Sequence, residues 1–342
     1  MTDPVVAETL SHDDEEVRGS SLPRYLALKA GGALISLALV VVLGFFTFRV
    51  LPGDPAITMT RGRQISPDEV ERLRRQLGLD QPLLVQFGHF VRDLFTGDLG
   101  TSYFYRRPVS ELIGEYLGPT LLLTGTAAVI SIILGLWLGQ KTAWRRDSWF
   151  DRFHTGLALV FWSVPTFWLG LLLLLMFGGW LQLLPTGGMT TPGAHETGIA
   201  YVLDVAEHLV LPVTAMVAVV YAQYLMVMRA SVLEEMSADY LTTARAKGLR
   251  EDLVRTRHAV PNALLPTVTL IFLTIGGLIS GAVTVETVFS WPGLGYLTYK
   301  GLSAPDLPLL QGTFVVFSAA VIAMNFVADL VYRVLDPRLK AS

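Results

Sequence analysis

The sequence predicts an all-α integral membrane protein with six transmembrane helices and a small helical domain, outside the membrane, between the first two. Three observations carry this. Of 342 residues, 52% are hydrophobic and only 16% charged, against about a quarter charged in a soluble domain. The apolar residues gather into six blocks of roughly the 20 residues that cross a bilayer, and the chain has a mean hydropathy of +0.50. Lysine and arginine concentrate in alternate connections between the blocks, as cytoplasmic loops do. The net charge is −3 and basic residues are spread along the chain, so no nucleic-acid partner is expected. The absence of cysteine excludes disulfides, thiolate metal sites and thiol nucleophiles.

In chain order, residues 1–23 hold Asp13-Asp14-Glu15-Glu16 and little apolar matter. They lack the basic start and apolar core of a signal peptide and read as a disordered cytoplasmic tail. The first transmembrane helix is expected over 24–51, around the apolar block Ala30–Phe48. The other blocks are Tyr116–Gln140, Thr155–Leu184, Leu209–Met228, Ala259–Val285 and Leu307–Ala328. None contains Lys, Arg, Asp or Glu. These five lie in one unit, 116–333, followed by a cytoplasmic tail, 334–342. The third block is long enough to tilt or to carry a re-entrant end, and Pro165 within it predicts a kink.

Orientation follows from the basic residues. Lys141, Arg145, Arg146 and Arg152 lie between the second and third blocks, and Arg229, Arg245, Lys247, Arg250, Arg255 and Arg257 between the fourth and fifth. Pro185–His208 has none, and the fifth connection has only Lys300. Connections two and four and both termini, the last with Arg333, Arg338 and Lys340, are therefore expected in the cytoplasm. The first connection, 52–115, is also basic, but connections beyond about 60 residues cross regardless of charge.

That first connection reads as an extracytoplasmic helical domain. Ser66 is placed to cap a helix, with Pro67 in its first turn and Glu69 completing a capping box. Val70, Leu73 and Leu77 form its apolar face, and Gly78 stops it. A second amphipathic stretch runs from Pro82 to Leu94, followed by the turn-rich Gly97-Asp98-Leu99-Gly100-Thr101-Ser102. The domain is either a packed cap on the bundle or a docking surface for a substrate-delivering protein.

Within the second span Ala127, Ser131, Gly135 and Gly139 recur every four residues, and Gly277 and Gly281 repeat the spacing in the fifth, beside Gly276, Ser280 and Thr284. Such stripes let helix backbones approach closely in lipid, as a sliding interface or as static packing. The strongly polar residues in or beside the spans are Gln182, Gln223, Glu286, Asn325 and Asp329. Most sit near span ends, where interfacial solvation is the better reading.

The most informative stretch is the cytoplasmic segment 229–262 between the fourth and fifth spans. Asp239 is placed to cap a helix over Tyr240–Lys247, ended by Gly248. A second short helix fits Glu251–His258, and Pro261 marks the start of the fifth span. Tyr240, Leu241 and Ala244 can share one face of the first helix. Small Ala244 and flexible Gly248 permit close approach by another protein, with Arg245, Lys247 and Arg250 as a basic rim. An ordinary positive-inside loop is the competing reading. His258 fits an interfacial structural role better than a pH sensor or ligand.

Six stretches in order resemble the permease subunits of the dipeptide/oligopeptide/nickel family of ATP-binding-cassette (ABC) importers, specifically the B-type subunit. They are Leu51-Pro52-Gly53-Asp54-Pro55; Leu77-Gly78-Leu79-Asp80-Gln81-Pro82; Gly97-Asp98-Leu99-Gly100 with Ser102; Leu184-Pro185-Thr186-Gly187-Gly188; Asp239-Tyr240 through Ala244-Arg245-Ala246-Lys247-Gly248-Leu249; and Glu286-Thr287-Val288-Phe289 with Pro292-Gly293-Leu294-Gly295. The resemblance covers roughly Pro23–Leu339. The general importer loop pattern is Glu-Ala-Ala-x3-Gly-x9-Ile-x-Leu-Pro. Here it reads Thr242-Thr243-Ala244, Gly248, then His258-Ala259-Val260-Pro261, and the missing Glu is similar to peptide permeases.

The resemblance implies a type I ABC importer permease-like fold. It implies that Asp239, Tyr240, Ala244, Arg245, Lys247, Gly248 and Leu249 couple to an ATPase, with His258, Pro261 and Asn262 leading into the fifth helix. The chain has no Gly-x4-Gly-Lys-Ser/Thr loop to cradle nucleotide phosphates, so no catalytic residue, cofactor or metal site is expected in it. ATP and Mg would be bound by two ATP-binding subunits, or one fused. A homologous second permease, an extracytoplasmic substrate-binding protein and the bilayer of a prokaryotic cell membrane complete the expected partners. Di- or oligopeptides are the expected cargo, with nickel, glutathione or haem as alternatives in the same family. No sequence feature marks substrate-binding residues. An ion-coupled secondary transporter predicts intramembrane acids and an inverted repeat, and neither is seen. A membrane enzyme predicts clustered polar groups, yet His89, His154, His195, His208 and His258 are well separated.

Overall fold

The structure, a computed structural model, describes residues 22–50, 56–57, 66–194 and 196–335, with the side chains of 22, 50, 265, 269, 272–281, 332, 334 and 335 excepted. Both expected tails and the Leu51–Pro55 stretch therefore lie largely or wholly outside the described residues, as do the side-chain surroundings of Gly276, Gly277, Ser280 and Gly281. Among the described residues the regular structure is helical, apart from one isolated bridge between Thr101 and Pro108.

The first apolar block lies in α1 (Leu22–Val50), and α2 (Pro67–Gln76) and α3 (Leu83–Phe95) follow it. The second apolar block is part of α4 (Val109–Trp144), 36 residues long, and the fourth block part of α7 (Ile199–Glu235), 37 residues long. At 1.5 Å per residue each reaches over 50 Å, well beyond a hydrocarbon core of about 30 Å. The fifth block forms α10 (Val260–Val288) and the sixth α12 (Leu307–Leu335), joined by α11 (Leu294–Ser303). Among the described residues, four single helices are long and apolar enough to cross a membrane: α1, α4, α7 and α12.

The third apolar block is not one continuous helix: the kink expected at Pro165 is a complete break. It divides into α5 (Trp149–Ser163) and α6 (Thr166–Leu173), continued as a π-helical turn over Leu174–Trp180. The two limbs meet at 101°. Pro165 forces the break, because it drives the preceding residue out of the helical region. Val164 accordingly sits at φ −88°, ψ 129°.

The centre of the bundle is the α4–α7 contact. A Cβ on Gly135 would lie 2.5 Å from Tyr224 Cβ and 2.7 Å from the Tyr221 carbonyl, and one on Gly139 would lie 2.7 Å from the Leu225 carbonyl. Ala127 and Ser131 on the same stripe are buried. The four-residue repeat is thus a seam of backbone-to-backbone contact, where dispersion between close atoms replaces the hydrophobic effect. Around it pack Leu123, Val213, Met216, Val217 and Val285.

Helices α1 and α12 run antiparallel. Tyr25 donates to the Asp329 carbonyl and Lys29 pairs with the Asp329 carboxylate at 3.2 Å, while Phe48 meets Phe314 at the other end. A Cβ on Gly44 would stand 2.6 Å from the Phe314 ring. Asp329 is therefore ion-paired rather than simply solvated. Asn325 is exposed and Gln223 half-buried, and Gln182 takes φ +51° just past the π-helical turn.

These pairings divide the molecule into two ends. One end carries the α4–α5 and α7–α10 connections, the start of α1 and the end of α12. The other carries α2, α3, the 181–198 connection and the turns flanking α11. There Leu73 and Val70 of α2, with Leu77 just after it, pack with Phe48, Tyr103 and Leu307, and Phe87 and Phe90 of α3 meet Phe45. The small domain is thus packed onto the ends of α1 and α12 at this side. The predicted capping box does not form: the Ser66 side chain makes no cap hydrogen bond, and the Glu69 N–H is taken by the Ser66 carbonyl instead.

Candidate functional site

The segment between α7 and α10 folds as two short helices. The first, α8, covers Asp239–Ala246, and the second, α9, covers Glu251–Val254. Asp239 is the first helical residue, not the cap, which corrects the expectation. The cap position is Ala238, and no side chain caps the helix. Asp239 instead places a negative charge in the first turn, where the helix dipole favours it.

The end of α8 is closed by its own backbone. Gly248 takes φ +81°, its N–H binds the Arg245 carbonyl at 2.9 Å and the Leu249 N–H reaches Ala244 at 3.4 Å. This reciprocal pair is the Schellman arrangement, and the left-handed residue it needs is glycine. The expected apolar contact accompanies it, since Leu249 packs on the cluster containing Ala244.

Which face α8 presents differs from expectation. Leu241 is fully buried and Ala244 is 5% exposed. Both face inward onto Val254, Ala259 and Trp144. Ala244 is therefore small because its own chain comes close to it. The outward face is Thr242, Thr243, Ala246, Lys247 and Gly248. Arg245 is held by Glu251 at 2.9 Å and Arg250 by Asp252 at 3.2 Å, so the basic rim is partly neutralised.

Tyr240 is neither wholly inside nor outside, at 38% exposed. Its hydroxyl donates to the Glu235 carboxylate at the end of α7 and accepts from Asn262 Nδ2 at 2.9 Å. The His258 carbonyl, which also accepts from Asn262 at 3.3 Å, lies 3.4 Å from it. Burial, and then the bond to Glu235, raise the phenol above its ordinary pKa. His258 thus contributes its carbonyl to this cluster. The second short helix expected over Glu251–His258 does not stop. It passes through a π-helical turn, Arg255–Ala259, into α10. Pro261 has no N–H to complete an α-helical bond, and the wider turn lies just before it.

The same end is braced by an ion pair that sequence reading did not single out. Asp151, 3% exposed, accepts both Arg229 Nε at 2.7 Å and Nη2 at 2.8 Å. It also receives the Asp147 N–H and the Thr155 hydroxyl. A bidentate pair of this kind fixes orientation as well as distance, here of the α4–α5 connection against α7.

At the opposite end Glu286 is fully buried, which overturns its reading as an interfacially solvated group. Its carboxylate accepts from the Thr120 hydroxyl at 2.7 Å and from the Tyr296 N–H in the first turn of α11 at 3.0 Å. Thr120 in turn accepts from the Leu294 N–H at 2.8 Å, and Trp291 Nε1 donates to the Pro119 carbonyl at 2.9 Å. Glu286 is a long-range cap for α11. Asp306 does the same locally for α12, accepting Leu309 N–H, while Ser102 Oγ and Phe104 N–H reach it from the small domain before α4 at 2.6 and 2.9 Å. The sequence signal was the glycine spacing: a Cβ on Gly293 would fall 2.3 Å from the Glu286 carboxyl carbon.

Among the described residues no group of three His, Cys, Asp or Glu side chains is placed to hold a metal ion. What α8 offers is mechanical: a short, closed helix presented outward and tied to the ends of two long ones.

Comparison with known proteins places these features in a family. Residues 131–341 match the model of the binding-protein-dependent transport system inner membrane component, and residues 22–124 match the model of its N-terminal region. The chain is 39% identical over 330 residues to the probable D,D-dipeptide transport system permease protein of Escherichia coli (strain K12), covering 92% of this chain and 96% of the relative. It is 36% identical over 316 residues to the dipeptide transport system permease protein of Alkalihalophilus pseudofirmus, covering 88% and 94%. It is 37% identical over 316 residues to the glutathione transport system permease protein of Salmonella typhimurium, covering 92% and 98%. The chain belongs to the family of inner membrane components of binding-protein-dependent transport systems.

Proposed function

We propose that this chain is one of two homologous membrane subunits of an ATP-driven importer, and that its α8 docks on a cytoplasmic ATPase. It would cross the membrane six times with both termini in the cytoplasm, the α5–α6 pair forming the third crossing. The observation that carries this is the α8 module, displayed at the end whose connections hold the basic residues. The contact surface is its outward face, Thr242, Thr243, Ala246, Lys247 and Gly248, while Leu241 and Ala244 hold the helix to its own chain. Two ATP-binding subunits close on ATP, move the α8 helices of both permeases and turn the pathway outward. That is a two-state switch driven by differential binding. The outer domain of α2 and α3 receives an extracytoplasmic binding protein. Peptides are the cargo, in keeping with the names of the peptide-transport relatives; glutathione is the second reading, carried by the Salmonella relative.

Gly248→Asp tests the docking reading. Gly248 is exposed and a Cβ there meets nothing within 4 Å, so the substitution costs the fold only about 1 kcal/mol of backbone strain. The assembled complex is expected to hydrolyse ATP without moving substrate. Normal transport by that variant overturns the assignment.

A further inference from the structure

We propose that the Tyr240 hydroxyl is the positioning group that makes α8 move as one body with α7 and α10, through Glu235 and Asn262. This rests on the docking reading above and adds the link between the docked helix and the spans. Among the described residues, each side-chain hydrogen bond from α8 to α7 or to α10 passes through this one oxygen. Arg245 reaches only Glu251 in the neighbouring short helix, and Thr243 only its own turn. The remaining attachment is apolar: Leu241 and Ala244 against Val254, Ala259 and Trp144. Apolar contact resists separation but is non-directional, so it leaves α8 able to pivot on that patch. A phenol held between a carboxylate and an amide removes the pivot, because each bond fixes a direction.

The three groups sit at the points a lever needs. Glu235 is the last residue of α7, and Asn262 lies in the first turn of α10. Asn262 is itself held by its second bond, to the His258 carbonyl. A push on the outward face of α8 therefore reaches both spans through a short chain of directed bonds. The Asp151–Arg229 pair, two turns before Glu235, keeps α7 from yielding at that end.

The test has two parts, the distance in the full chain and transport by the assembled complex. The chain has no cysteine, so spin labels at Lys247→Cys and Ala230→Cys report the α8–α7 distance in the full chain in detergent, where no ATPase covers Lys247. This measurement is independent of the substrate; transport is measured on unlabelled variants. Tyr240→Phe and Asn262→Ala each broaden the distance distribution. In proteoliposomes they lower the alanyl-alanine imported per ATP hydrolysed by about fivefold, the effect of one ordinary hydrogen bond. The double variant is no worse than either single one, as expected for groups acting through one junction. Glu235→Gln, which keeps an acceptor, retains wild-type width, whereas Glu235→Ala does not. An unchanged distribution in Tyr240→Phe, or additive effects of the two substitutions, overturns the proposal. If Gly248→Asp uncouples the complex while Tyr240→Phe does not, the positioning role alone fails. If neither uncouples it, the docking reading fails too.

Discussion

Gly293 stands where a single methyl group collides with a buried carboxylate. A Cβ there would lie 2.3 Å from both Cδ and Oε1 of Glu286 and 2.4 Å from Oε2. Its φ is −105°, so the constraint is steric and not conformational. Gly293→Ala must push the Glu286 side chain away from the Thr120 hydroxyl and the Tyr296 N–H. Overpacking alone costs about 1–3 kcal/mol, and each of the two buried donors left unsatisfied adds about 1–3 kcal/mol, so a loss of at least about 3 kcal/mol is expected. The structure predicts how the loss is relieved. In a Glu286→Ala background the colliding atoms are gone, and Gly293→Ala should then cost less than about 1 kcal/mol, a coupling of at least 2 kcal/mol between contacting sites. Gly295→Ala is the control. Its Cβ would meet the Val283 backbone at 2.5 Å as well as Glu286 Oε2 at 2.9 Å, and the backbone clash remains when the carboxylate is removed, so Glu286→Ala should rescue it only in small part. The assay is thermal unfolding of the purified chain in detergent, followed by tryptophan fluorescence. Additive losses for Gly293→Ala and Glu286→Ala, or equal rescue of Gly295→Ala, refute the reasoning.

Other positions carry equally definite expectations. Gly139→Val should separate α4 from α7 and lower the melting temperature strongly, by more than the 1–3 kcal/mol of ordinary overpacking, whereas Gly125→Ala, with nothing within 4 Å of its Cβ, should be near neutral in the same melt. Asp151→Asn leaves Arg229 without its bidentate partner, and because Arg229 keeps some solvent contact the loss should fall near the lower end of the 3–5 kcal/mol range, about 3 kcal/mol. Ser148 Oγ accepts the Asp151 N–H at 3.2 Å, so Ser148→Ala should cost the ordinary cap contribution of about 1 kcal/mol. Ser66→Ala, whose side chain caps nothing, should lose only a few tenths; comparable losses for the two would contradict the cap assignments.

Capping illustrates where sequence reading stops. Ser66 and Asp239 had the residue type and position of helix caps, and the helices did begin beside them. Whether a side-chain oxygen turns back to the helix depends on competing partners that the local sequence does not contain. Glycines in left-handed turns were legible, because the requirement at Gly78 and Gly248 is set by their own φ, +63° and +81°. Gly135, Gly139 and Gly293 are different. Their backbones are ordinary, and what excludes a side chain is another helix or a carboxylate many residues away. The small-residue stripe showed that a close approach occurs but not that α7 makes it.

The sequence by itself determined the membrane character, the apolar blocks, the break at Pro165 and the helix-glycine module between the fourth and fifth blocks. Composition, proline geometry and the left-handed preference of glycine are local properties, so the residue string is enough for them. Only the tertiary structure decided that Ala244 faces inward, that Glu286 is buried as the cap of α11, that Asp151 holds Arg229, and that Tyr240 joins α7 to α10. Each of these depends on which distant atom occupies the space beside a side chain, and that is settled by how the helices pack.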